Sequence, residues 1–141
     1  MPASGGKLTV MFKRHTTPPT LAEIELIAEA AFASIPAELA RHVTNVVTRV
    51  EDFCDEDTER DMELESPFDL LGLYRGVSLD RKSFFDTTPR IDMIFLYRRP
   101  ILDYWCETGQ DLHDVVRHVL IHEIGHHFGF SDDDMDRIEN T

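Results

Sequence analysis

A chain of 141 residues can bury roughly 68% of its unfolded surface, which is room for one ordinary core and not for two. Its 14 basic and 27 acidic residues leave a formal charge of −13, so the phosphates of nucleic acids and anionic membranes would be repelled, and both are excluded as expected partners. Cys54 and Cys106 lack a CxxC spacing, which argues against a disulfide scaffold or a cysteine zinc site; with no signal-like start and no apolar run of about 18 residues, the expectation is a cytoplasmic protein with reduced thiols.

Residues 1–19, rich in Gly, Thr, Pro and basic side chains, read as a lead to a single domain over residues 20–141. Its short apolar run, Leu8 to Phe12, fits a strand or a disordered stretch. Thr20 and Glu23 form a capping-box signature, and Leu21, Ile24, Ala28, Ala31, Phe32 and Ile35 recur at helical spacing until Pro36, predicting a core-packing helix. A short helical turn over Pro36 to His42 comes next, then a β-branched strand over Val43 to Phe53. From Glu51 to Glu65 nine acids stand against the single Arg60, read first as a solvated loop and alternatively as a surface for cations or a basic partner.

Asp69 to Leu79 is apolar and aromatic with glycines at 72 and 76, predicting a strand with a bulge or a close backbone approach. Ile91, Met93, Phe95 and Tyr97 alternate against Asp92, Ile94 and Leu96, the clearest strand in the chain, with Pro89 and Pro100 bounding it. A short helix should begin over Pro100 to Cys106, and Thr108 should cap a long helix from Gly109 to Phe128. Helix, strands, then helices indicate an α+β domain. A small mixed or antiparallel sheet would pack against the long helix and the N-terminal helix.

The chemistry lies at the end of that long helix, where residues 122–132 read HExxHxxGxxD. Residues four apart on a helix share a face, so His122 and His126 form a chelating pair with Glu123 beside them. Gly129 can take the left-handed conformation that ends a helix and turns the chain back, making Asp132 the natural third ligand. The five-residue core arises by chance in roughly 3% of shuffled chains, the eleven-residue version in about 1 in 7,000. Asp132 could instead serve the first turn of another helix starting at Ser131, with Asp133, Asp134 or His118 as substitute ligands. Leu112, Val115, Val116 and Val119 make an apolar stripe that continues into Glu123 and His126, while Ile121, Ile124 and Phe128 make the far side apolar too. The C-terminal half of this helix should therefore be buried on both sides.

Together with Leu71-Gly72-Leu73-Tyr74-Arg75-Gly76 and the Ile91 to Arg99 strand running into Pro100 and Ile101, this motif resembles a family of short, single-domain bacterial proteins described as candidate zinc metallopeptidases. The resemblance covers Leu21 to the end and implies a minimal zincin-like fold. It also implies His122, His126 and Asp132 as ligands of one Zn²⁺ per chain and Glu123 as catalytic base. The expected reaction is hydrolysis of a peptide or protein substrate, with the edge strand Ile91 to Tyr97 or Leu70 to Val77 pairing with it. Tyr74, Tyr97, His127 and Arg75 are open alternatives for a second oxyanion donor. Two rivals stand beside this reading: a zinc site that fastens the C-terminal helix without catalysis, and a metal-free module recruiting a basic partner through the acidic run. The sequence leaves the oligomeric state open.

Overall fold

The computed structural model describes residues 17–43, 45–78 and 90–140, so the apolar run at Leu8 to Phe12 lies outside the described residues. The first helix, α1, spans Leu21–Ala33, with both halves of the Thr20/Glu23 capping box in place. A single turn, α2 (Ala37–Ala40), starts after Pro36. Strand β1 is Val46–Glu51, shorter at both ends than the β-branched run suggested, because Asn45 has φ 54° and turns the chain just before it.

The acidic stretch is not a loop throughout. It forms a six-residue helix, α3 (Glu56–Asp61), whose N-cap Asp55 accepts a hydrogen bond from the Thr58 backbone. Three acids in its first turn suit the positive end of the helix dipole, which is what the run's charge pattern conceals when it is read only as solvated. A 3₁₀ turn over Pro67–Asp69 leads to β2 (Gly72–Ser78), and β3 is Arg90–Tyr97. Strand β3 runs directly into α4 (Arg98–Thr108), so Pro100 sits in the helix's first turn, where a missing N–H costs nothing. Thr108 closes α4, donating to the Tyr104 carbonyl, and Gly109 at φ 68° ends it; the motif helix α5 starts at Leu112 and is capped by Asp111. Its span is Leu112–His127, and α6 follows over Asp132–Glu139.

The sheet is mixed, in the order β1-β3-β2, with β1 parallel and β2 antiparallel to the central β3. The β2–β3 register is continuous from Gly72↔Leu96 to Ser78↔Arg90, with no bulge. Gly72 instead marks a close approach: a Cβ there would lie 2.7 Å from Val119 Cγ1 and 3.3 Å from Glu123 Cγ. One sheet face, carrying Val50, Tyr74, Ile94 and Leu96, joins the main core with Ile24, Ala28 and Ala31 of α1 and Val115, Val116 and Val119 of α5. The opposite face buries Tyr97 with Cys54 and Leu70, and Leu64, Leu73 and Phe95 pack around them. Segments flanking α3 thus cover the back of the sheet. The expected α+β class, with a small mixed sheet against the N-terminal and motif helices, is the architecture found.

Ile121 and Ile124 are fully buried on the side of α5 away from the valine stripe, each worth about 2 kcal/mol in transfer free energy. The short α6 is fixed by Met135 and Ile138, also buried, and by Arg137, which grips Glu38 with two hydrogen bonds of 2.7 and 2.9 Å. No helix among the described residues is long and apolar enough to cross a membrane. Cys54 and Cys106 are both free thiols.

Candidate metal centre

Helix α5 carries three histidines four residues apart, His118, His122 and His126, along one side. Its end is a Schellman motif: the Phe130 amide donates to the Gly125 carbonyl at 2.8 Å, the Gly129 amide donates to the His126 carbonyl at 3.2 Å, and Gly129 has φ 80°. That turn reverses the chain, and Ser131 restarts it as α6 by accepting from the Asp134 amide. Helix α6 then runs back along α5. Its two acids seven residues apart, Asp132 and Glu139, stand beside the histidine row.

At the near end His126 Nε2 lies 3.5 Å from Asp132 Oδ1, both side chains more than half exposed. At the far end His118 Nδ1 lies 2.7 Å from Glu139 Oε2, and His122 Nε2 lies 3.3 Å from Glu139 Oε1. Among the described residues, His118, His122 and Glu139 bring one donor atom each within 4.8 Å of one another. The His122 ring is 4.0 Å from that of His118 and 5.9 Å from that of His126. His122 therefore stands between His118 and His126, and its Nε2 faces Glu139, not Asp132. A second cluster, Asp111, His113 and Asp114, is the N-cap of α5, where Asp111 accepts from the backbone amides of His113 and Asp114.

Glu139 was not singled out by the sequence reading. The signal that could have found it is spacing: Asp132 and Glu139 are two helical turns apart, matching a histidine row four and eight residues long on an antiparallel neighbour. His126, read as continuing the buried stripe, is exposed, whereas Tyr74 of β2 still packs on His127 and Phe128 beside it.

Burial, reinforced by the charge of His118 and opposed by Glu139, holds His122 below the ordinary histidine value, favouring the neutral imidazole that can ligate. Glu123 sits under the backbone of β2 at Gly72, and burial pushes its carboxyl up to about 7, partly offset by His126. A raised carboxyl favours folding while it stays protonated and loses that preference as pH climbs from its unfolded value of 4.5 through about 7. In chelator-treated protein, Glu123→Gln should therefore match the parent in stability near pH 4 and exceed it by about 3 kcal/mol near pH 8. Denaturant melts across that range would check it; parallel curves for the two proteins would mean that Glu123 is well solvated.

The four candidate oxyanion donors separate. The Tyr74 hydroxyl is committed to Asp92 Oδ2 at 2.7 Å, and its ring stacks on His127 with centroids 4.0 Å apart. Tyr97 is buried in the cluster on the back of the sheet, and Arg75 follows Tyr74 in the strand and so points to that same far side. His127 is exposed beside Tyr74.

The donor set, imidazoles with carboxylates and no thiolate, suits zinc and not a hard oxygen-seeking cation. No significant match to the chain is found among curated proteins. The model of one family, the zincin-like metallopeptidases, matches residues 43–141, which take in the whole sheet, the histidine row and both carboxylates. On that match, carried through the HExxH helix and the turn back at Gly129, the chain belongs to the zincin-like metallopeptidase family.

Proposed function

We propose that the protein is a zinc-dependent peptidase in which His122, His126 and Asp132 hold one Zn²⁺ and Glu123 is the general base. The observation that carries this reading is the position of Glu123. It is next to a ligand histidine in sequence, largely buried beneath Gly72, and its carboxyl is raised to about 7, where a base can both accept and return a proton near neutral pH. The 3.5 Å separation of His126 Nε2 and Asp132 Oδ1 supports the ligand assignment, since two donors about 2.1 Å from a tetrahedral ion stand about 3.4 Å apart.

Zinc, when bound, would acidify a water and polarise the scissile carbonyl. The chain's own residues do the rest. Glu123 takes the proton from the attacking water and delivers it to the departing amine, and the cover of Gly72 and Val119 over its side chain keeps bulk water from competing for its carboxylate. The family supports a peptide as substrate, and β2, an outer strand among the described residues that lies over Glu123 at Gly72, supports an extended backbone as the form in which it binds. The other candidate, Ile91 to Tyr97, is the central strand β3 and is already paired on both sides.

The test uses tag-free protein with its zinc counted by elemental mass spectrometry, incubated with a mixed peptide library. Cleavage that a chelator abolishes and zinc restores is expected. A fully zinc-loaded chain that leaves every peptide intact between pH 6 and 9 (the range about a base near 7) would sink the catalytic reading and leave zinc as a fastener of α6.

A further inference from the structure

We propose that His118, His122 and Glu139 form a second divalent-cation position that shares His122 with the motif site, so that the chain holds one zinc in either of two mutually exclusive places. The exclusivity rests on the reading of His122, His126 and Asp132 as zinc ligands; the position itself does not.

Two imidazoles and one carboxylate are a zinc donor set in their own right. Here they converge on one carboxylate oxygen: Glu139 Oε1 is 2.9 Å from His118 Nδ1 and 3.3 Å from His122 Nε2, and the three donors lie within 4.8 Å of one another. A tetrahedral ion with donors at about 2.1 Å separates them by about 3.4 Å, so the cluster accepts a cation by opening about half an ångström between Glu139 and His118, with little change at His122. The backbone that carries Glu139 is held from outside the cluster. Glu139 ends a helix pinned by Met135 and Ile138, and its backbone carbonyl accepts from Arg117 Nη1 at 3.0 Å, so the base of its side chain is fixed beside the histidine row.

Exclusion follows from His122. An imidazole offers one lone pair at Nε2, and an ion held through it beside Glu139 leaves none for an ion beside His126 and Asp132. A cation in the Glu139 position is therefore parked: it occupies the chain without completing the motif site.

The decisive variant is His126→Ala/Asp132→Ala, which removes two exposed side chains and leaves the core untouched. Tag-free full-length chains are dialysed against zinc, bound metal is counted, and histidine ring ¹⁵N shifts are recorded to identify the ligating nitrogens. The parent is expected to bind one zinc. His126→Ala/Asp132→Ala is expected to bind one as well, through His118 Nδ1 and His122 Nε2, and to lose it when Glu139→Gln is added; His122→Ala should bind none. A His126→Ala/Asp132→Ala chain that takes no zinc even with the metal in large excess overturns the proposal and reduces Glu139 to a hydrogen-bonded anchor. Two zincs on the parent overturn it as well, since His122 would then not be shared. If His118→Ala/Glu139→Gln holds no zinc while His126→Ala/Asp132→Ala does, the second position stands and it is the motif reading that fails.

Discussion

Glu123→Gln is expected to lower peptide turnover by about a hundredfold to ten-thousandfold while leaving one zinc per chain in place. Glutamine keeps the size and hydrogen-bonding reach of the side chain but cannot take a proton, and it leaves His122, His126 and Asp132 untouched. The loss should fall equally on kcat and on kcat/KM, because the proton moves only in the transition state and not on binding. Steady-state kinetics on zinc-quantified protein would show it. Turnover within a few-fold of the parent would remove Glu123 from the chemistry and return the search to whatever other carboxylate faces the substrate. This outcome is distinct from zinc loss, which would report on the ligands and say nothing about the base.

The second large effect is predicted away from the chemistry, at Gly125. A Cβ built there would lie 2.2 Å from Met135 Sδ and 2.7 Å from its Cγ, and Met135 is fully buried, so it has no open space into which to swing. Gly125 is thus the groove in α5 into which α6 seats. Gly125→Val should cost about 3 kcal/mol by overpacking, in excess of the roughly 0.5 kcal/mol by which valine favours a helix over glycine. The strain should also lift α6, and with it Asp132 and Glu139, so zinc affinity should fall together with stability. Met135→Ala alone leaves a cavity and should cost about 2–5 kcal/mol. Combined with Gly125→Val it should recover part of that loss, because the valine fills what the methionine vacates. A double-mutant cycle from urea melts measures the coupling, expected at about 1–3 kcal/mol. Strict additivity would mean that the two side chains do not meet, and the account of how α6 is seated would have to be abandoned.

Much of this was open to a reading of residues alone. The Thr20/Glu23 capping box and the apolar periodicity of α1 are local, and they placed that helix within two residues of its end. The alternation in Ile91 to Tyr97 is local too; it separated Ile94 and Leu96, which face the helices, from Phe95 and Tyr97, which face the back of the sheet. Where local signals compete, sequence alone does not choose between them. Thr108 and Asp111 are both good N-caps three residues apart, and the choice between them was made by Gly109, whose left-handed conformation ends α4 and leaves Asp111 to start α5. The acids over residues 51–65 hid α3, because charge that looks like solvation is also what a helix N-terminus favours.

The site divides along the same line. Sequence by itself determined which donor groups are on offer: HExxH on a helix puts two imidazoles and a carboxylate on adjacent positions of one turn, and glycine three residues on permits the reversal that makes a downstream acid available. These are consequences of backbone geometry over a dozen residues, and no distant part of the chain can change them much. Only the tertiary structure decided which acids stand beside which histidines. Helix α6 runs back along α5 because Met135 fits the groove at Gly125 and Arg137 reaches Glu38, contacts made with residues ten and ninety-nine positions away. That packing put Glu139 against His118 and His122 and His126 beside Asp132, while the seating of β2 on α5 pressed Gly72 over Glu123, raising its carboxyl by burial. Burial and cross-helix distance depend on the sum of all packing contacts, which no local pattern encodes.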